Sequence, residues 1–155
     1  MHGPLLQLVS HARPGPTDLW FLPLGGTGEI GMNLNLYGHD DHWLMIDCGV
    51  TFAEHGSKDP HVQMADPAFI EGEREALCGL VLTHAHEDHL GAVAHLWPRL
   101  RCPVYCTPFA AAVLAHKLRE AGLSGKVPLT VLPPDSAFTV GPFSLRYLTM
   151  THSLP

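Results

Sequence analysis

Leu82-Thr83-His84-Ala85-His86-Glu87-Asp88-His89-Leu90-Gly91-Ala92 is the stretch on which the reading of this chain turns. Gly79 to Thr83 is apolar enough to form a buried strand, and it runs directly into the histidines. His84, His86, Asp88 and His89 are four metal-competent side chains within six residues. In a helix His84 and His86 would point nearly opposite ways. On a loop leaving a strand, positions i and i+2 share a side and can close on one ion. Asp88 and His89 are adjacent, face a neighbouring direction and suit a second ion. Two metals ~3.5–4 Å apart clamp the entering and leaving oxygens of a displacement. Nitrogen and oxygen donors of this kind suit zinc, with manganese or iron as weaker fits. The competing readings are a solvated polar loop and a single structural metal. Structural zinc usually closes its sphere with thiolates, which this run lacks.

Outward from that run, the chain reads as strands with two interposed helices, which favours α/β layers over an all-β sandwich. Residues 1–18 form a loose leader rich in Pro, Gly and His. Leu19 to Leu24 is a short strand, Gly25 to Gly31 a glycine-rich loop, and Asn33 to Gly38 with His42 to Asp47 a hairpin across His39-Asp40-Asp41. Thr51 to Asp66 reads as a long loop and Ala68 to Ala76 as a short helix or turn. His89 to Trp97 reads as one helix. Pro108 to Ala121 reads as another, with Pro at its start and Gly122 after its end. Val104 to Cys106, Val127 to Leu132, Ala137 to Val140 and Phe143 to Leu148 read as strands. Gly26-x-Gly28-x-x-Gly31 matches a dinucleotide fingerprint, but that motif needs a helix next. The alternating Met32 to Tyr37 predicts a strand instead, so the glycines are read as allowing tight packing beside a site.

At 155 residues the chain has the size of one ordinary domain. With 46% hydrophobic and 15% charged residues its composition is globular, not disordered. No apolar run reaches the ~20 residues of a membrane helix, and Met1-His2-Gly3-Pro4 lacks a secretory pattern, so a cytoplasmic protein is expected. A net charge of −6 argues against a broad nucleic-acid-binding face, though not against a narrow basic groove. Twelve histidines against nine Lys and Arg favour a metal site before any motif is read. Cys48, Cys78, Cys102 and Cys106 show no CxxC spacing and read as buried free thiols. Trp20, Phe21, Trp43 and Trp97 read as core, and the histidines outside the motif mostly as surface.

His-x-His-x-Asp-His resembles the signature of the metallo-β-lactamase superfamily, whose fold is an αββα sandwich. Leu24-Gly25-Gly26-Thr27-Gly28-Glu29-Ile30-Gly31-Met32-Asn33 narrows the resemblance to the ribonuclease J family. Ile46-Asp47-Cys48-Gly49, Pro103-Val104-Tyr105, Thr107-Pro108-Phe109, Lys117 to Leu123 and Thr151-His152-Ser153-Leu154-Pro155 agree with it. The resemblance covers roughly residues 20–155. It implies that His84, His86 and His152 hold one zinc and Asp88 and His89 the other, with manganese as an alternative metal. It also implies that Asp88 has the catalytic role and that Asp47 orients the ligand loop. From the residues alone Asp47 is as readily a turn aspartate, and His152 is a lone histidine after a strand.

The same resemblance places a bridging carboxylate, a further histidine and a β-CASP domain downstream of Thr151 to Pro155. Residues 19–155 are therefore expected to be the N-terminal half or so of the αββα domain of a longer enzyme. The implied activity is zinc-dependent hydrolysis of RNA phosphodiesters, exonucleolytic or endonucleolytic, with RNA as partner and no membrane. A homo-oligomer is compatible with the resemblance. The isolated chain is expected to be inactive. Two other readings stand beside it: a small-molecule hydrolase cleaving a thioester or lactam, and a non-catalytic metal-binding half-domain.

Overall fold

The computed structural model describes residues 13–52 and 61–152. Residues 1–12 of the expected leader, 53–60 of the expected long loop and 153–155 of the closing stretch lie outside the described residues. The strands are β1 (Trp20–Gly25), β2 (Leu34–His39), β3 (His42–Ile46), β4 (Val50–Phe52), β5 (Val62–Met64), β6 (Leu77–Val81), β7 (Val104–Cys106), β8 (Leu129–Val131), β9 (Ala137–Val140) and β10 (Phe143–Arg146). The helices are α1 (Ala68–Gly72), α2 (Glu87–Leu90), α3 (Val93–Leu100) and α4 (Pro108–Glu120), with a 3-10 turn at Arg74–Ala76.

Six strands form the main sheet in the order β1-β2-β3-β6-β7-β8. β1, β2 and β3 meander antiparallel; β6, β7 and β8 then add in parallel. The β2–β3 turn closes with His39 opposite His42, and Asp40 and Asp41 both take positive φ, as a two-residue hairpin turn requires. β1 lies at the sheet edge and is irregular between Pro23 and Gly25, which is where a proline that cannot donate is tolerated. β6 is flanked on both sides and reads as a near-continuous apolar run, as a buried parallel strand should.

One face of the sheet and the helices enclose the larger core, built on Leu36, Trp43, Met45, Leu80, Leu82, Leu90, Val93 and Leu114 among others. α4 contributes Ala110, Leu114 and Leu118 at four-residue spacing, and Gly122 follows its end at φ +69°. On the opposite face the β9–β10 hairpin sets Val140 and Phe143 against Leu44 and Val81. The layers run helices, six-stranded sheet, short hairpin sheet: the α/β arrangement expected of this part of an αββα sandwich. Among the described residues no helix is long and apolar enough to cross a membrane.

Three sequence expectations are corrected. Within the expected loop Thr51 to Asp66, β4 and β5 pair antiparallel, because Met32 N donates to Val50 O at 3.0 Å and Thr51 Oγ1 to Ile30 O at 3.1 Å, fixing the segment to the glycine-rich loop. The expected helix His89 to Trp97 is two helices. Ala92 N leaves the helical pattern to donate to Cys48 O at 3.0 Å, and that break places the end of α2 against the loop after β3. Phe21, expected in the core, is 54% exposed because it alternates to the face of edge strand β1 opposite Trp20. Trp43 is buried as expected, with its ring edge-on to Phe69.

Candidate metal centre

The histidine run begins where β6 ends. Leu82 is buried, Thr83 is exposed, and His86 in an extended conformation precedes the first turn of α2. A loop, not a helix, therefore carries His84 and His86, and His84 Nε2 lies 2.8 Å from His86 Nδ1. His152 closes the group from 66 residues away, with its Nε2 3.1 Å from His86 Nδ1. One ligand-type nitrogen from each of the three lies within 4.8 Å of the other two.

Beneath this group sits Asp47, only 4% exposed, at φ +64° where β3 ends. A non-glycine residue held there costs on the order of 1 kcal/mol and persists only when its surroundings fix it. Here Thr83 N donates to Asp47 Oδ1 at 2.8 Å, Thr83 Oγ1 reaches Oδ2 at 2.8 Å, and His89 Nδ1 donates to Oδ2 at 2.7 Å. An ionised carboxylate only accepts, so the Thr83 hydroxyl hydrogen points to Asp47 and its oxygen accepts from His84 Nδ1 at 2.9 Å. Both imidazoles then carry hydrogen on Nδ1 and turn the Nε2 lone pair outward. One buried carboxylate thus sets two tautomers, His89 directly and His84 through Thr83.

The second donor pair is Asp88 and His89, with His89 Nε2 3.4 Å from Asp88 Oδ2. Three loops are stitched together around it. Asn33 N and Asn33 Nδ2 each donate to Asp88 O at 3.0 Å, Cys48 N donates to His89 O at 2.7 Å, and Gly49 N to Asn33 O at 2.9 Å. Gly49 lets these loops meet, because a Cβ there would lie 1.7 Å from Asp88 O. Gly26, at φ +83°, likewise leaves room for Asn33, whose Oδ1 a Cβ would meet at 2.3 Å. The glycine-rich run is followed by β2 and not by a helix, so its dinucleotide likeness carries no function.

Burial and the neighbouring imidazoles hold the His84 pKa below its ordinary value. Burial also opposes charge on His89, but the bond to Asp47 and its negative charge outweigh it and raise the pKa. In zinc sites with nitrogen at about 2.0–2.1 Å from the ion, neighbouring tetrahedral nitrogens lie about 3.3 Å apart. The separations of 2.8 and 3.1 Å seen here need little adjustment, and outward lone pairs are what such an ion takes. The donor set fits a metal.

A cavity of ≈ 700 Å³ opens beside His84 and His152, lined also by Thr83, Thr107, Phe109, Arg146, Tyr147, Leu148 and Met150. All six residues singled out in the sequence (Asp47, His84, His86, Asp88, His89 and His152) gather at one end of the sheet. Thr83, Asn33 and Gly49 were missed. The signals available for them were the threonine preceding the histidines and the Asp-Cys-Gly run after β3, neither of which specifies a partner.

Residues 30–154 match the family model described as the metallo-beta-lactamase superfamily. Ribonuclease J of Sinorhizobium meliloti is 44% identical over 151 residues, covering 94% of this chain and 26% of that protein. Ribonuclease J of Synechocystis sp. is 34% identical over 138 residues, covering 88% of this chain and 22% of that protein. The Helicobacter pylori ribonuclease J is 31% identical over 133 residues, 85% and 19% respectively. The chain thus spans about a quarter or less of the length of these relatives.

Proposed function

The chain belongs to the metallo-β-lactamase superfamily, and we propose from that premise that its residues serve metal-dependent hydrolysis of RNA phosphodiesters in the manner of ribonuclease J. The observation that carries the reading is the convergence of His84, His86 and His152 beside the Asp88–His89 pair. Its occurrence in a chain 44% identical to a ribonuclease J supports the substrate class. We take zinc as the metal, with manganese as the alternative. His84, His86 and His152 would hold one ion, and Asp88 and His89 the other. When bound, the metal supplies positive charge that acidifies a nucleophilic water and offsets charge developing on the phosphate oxygens.

This chain's own residues do the rest. Asp88, half exposed at the rim, orients the attacking water and takes its proton. Asp47 keeps His89 and, through Thr83, His84 in the tautomer that presents Nε2. The cavity beside His84 receives the substrate strand. On the same reading residues 19–155 belong to one metallo-β-lactamase domain acting in the cytoplasm. Among the described residues we assign only Asp88 and His89 to the second ion, so the isolated polypeptide should hold one zinc tightly and cleave RNA poorly.

A second reading is favoured by the cavity wall, where Phe109, Leu148 and Met150 outnumber the single cation Arg146. That lining suits an apolar thioester or lactam. The test is a chimera in which this chain replaces the matching stretch of the Sinorhizobium meliloti ribonuclease J. The expected result is metal-dependent cleavage of 5′-monophosphorylated single-stranded RNA that Asp88→Ala abolishes. Turnover of a thioester or lactam without RNA cleavage would transfer the assignment to the second reading.

A further inference from the structure

Of the proposed ligands, His152 arrives by the least supported route. β10 ends at Arg146, and residues 147–152 continue with neither helix nor strand, with Leu148 to His152 exposed. Yet His152 Nε2 reaches 3.1 Å from His86 Nδ1. Two side-chain clamps hold the path between. The Tyr147 hydroxyl donates to Leu82 O at 2.9 Å, one residue before Thr83 and two before His84. Asp135 then grips Thr149 twice, accepting from its N–H on Oδ1 at 2.8 Å and from its hydroxyl on Oδ2 at 3.0 Å. Asp135 sits at φ +60° after Pro133-Pro134, and Tyr147 N donates to Ser136 O at 3.0 Å, so the turn that carries Asp135 also holds the start of the segment through the backbone.

We propose that Tyr147 and Asp135 are positioning residues for His152, holding its segment against the end of β6 so that the third imidazole stands ready beside His84 and His86. Neither residue is a ligand. The inference rests on the reading that these three histidines share one metal ion. A segment with no regular structure must lose conformational freedom when its histidine is captured, and that loss lowers affinity. Clamps that already hold the segment to the fold remove much of it in advance. Tyr147 ties the segment to Leu82, at the start of the loop that carries the other two histidines, and Asp135 fixes the chain three residues before His152. Partners that hold ligands in place typically matter by 10–100-fold in metal affinity.

The experiment is zinc affinity of the 155-residue chain, measured by competition with a chromophoric chelator, with circular dichroism and thermal melting on every variant. Tyr147→Phe, Asp135→Ala and Asp135→Asn are each made in the wild-type and His152→Ala backgrounds. Tyr147→Phe and Asp135→Ala are each expected to weaken zinc binding about 10-fold. Asp135→Asn keeps an acceptor for Thr149 N and should recover part of the loss. In the His152→Ala background neither clamp should have any further effect. Unchanged affinity in Tyr147→Phe while His152→Ala is weakened would overturn the positioning role, as would an equal loss in both backgrounds. Wild-type affinity in His152→Ala itself would instead overturn the ligand reading beneath it. Should Asp135→Ala fail to fold, Tyr147→Phe, which removes one oxygen, decides the matter.

Discussion

The end of β6 and the segment after β10 deliver histidines to the same small volume by opposite means. At the end of β6 the work is done by backbone and by one buried carboxylate. Asn33, Cys48 and Gly49 bond to the main chain of Asp88, His89 and each other, and Asp47 accepts from Thr83 and His89. Behind them lies the larger core. From Leu148 onward the chain is exposed, and beyond one backbone bond from Tyr147 N to Ser136 O its support is the hydroxyl of Tyr147 and the carboxylate of Asp135. The first half of the site is arranged by folding itself. The second is an attached arm whose place depends on a few exchangeable side chains. Mutations in the two halves should therefore differ in kind: in the first they cost stability and metal together, in the second mainly metal.

The largest effect expected from this contrast is at Gly49. A Cβ there would meet Asp88 O at 1.7 Å and His89 N at 2.5 Å, both backbone atoms with no side chain free to yield. Gly49→Ala should destabilise the chain by about 4 kcal/mol or more, read from urea denaturation. A loss under about 1 kcal/mol would mean that the loops around Asp88 part easily, and the rigid half would not be rigid.

Asp47→Ala comes next. It leaves the Thr83 N–H, the Thr83 hydroxyl and His89 Nδ1 without their acceptor at a position only 4% exposed. A cost of about 3 kcal/mol is expected, with a fall of at least tenfold in zinc affinity as both tautomers become free. If zinc affinity falls but stability does not, Asp47 acts on the ligands alone, and the two halves are less different than the hydrogen bonds imply.

How far the sequence foretold this division follows from distance along the chain. His84, His86, Asp88 and His89 lie within six residues at a strand end, and their local chemistry suffices to single them out. Asp47 and His152 carry no such local pattern; only family resemblance marked them. The Thr83–Asp47 bonds span 36 residues and the Asn33–Asp88 bond 55, so no window along the chain contains both partners. The main strands and α4 were legible because period and turn residues are local. β4 and β5 were not, because their three-residue strands are too short to establish a period and gain their place from the glycine-rich loop. The division of one expected helix into α2 and α3 likewise depends on Cys48 O, far away in sequence.

A smaller effect concerns pH in the metal-free chain. The His89 pKa is raised in the folded protein, because the bond to Asp47 outweighs burial. Its contribution is full below about 6.5, the ordinary histidine value, and is lost as pH rises through the higher folded value. The His84 pKa is lowered chiefly by burial, so its sign is opposite. The unfolded chain takes up that proton first as pH falls below about 6.5, and stability declines on the acid side. Together the two place a maximum near the ordinary histidine pKa in a stability profile from pH 5.5 to 8. Asp47→Asn should remove the alkaline decline and keep the acid one. Loss of the acid decline instead would show that the two histidines had been assigned the wrong way round.

The smallest expected signal separates the two halves without any mutation. Cys48 lies between Asp47 and Gly49 inside the rigid half, 1% exposed, and burial pushes its thiol pKa far up. Cys78 is half-buried on β6 under the β9–β10 hairpin, close enough to Gly141 that a Cβ there would sit 2.4 Å from its sulfur. Burial raises its pKa too, but the covering hairpin carries the arm that bears His152. Thiolate is the reactive form, so at pH 8 both should react more slowly than a free cysteine. The difference lies in what must open: for Cys78 only a two-stranded hairpin, for Cys48 the sheet end and α2 together. With a disulfide reagent in excess, one thiol should react well ahead of the rest. Mass mapping should place it at Cys78, with Cys48, Cys102 and Cys106 protected until the chain unfolds. Cys48 reacting at the pace of Cys78 would mean that the scaffold around Asp47 opens as readily as the hairpin. The contrast between a folded half and a tethered half would then be lost.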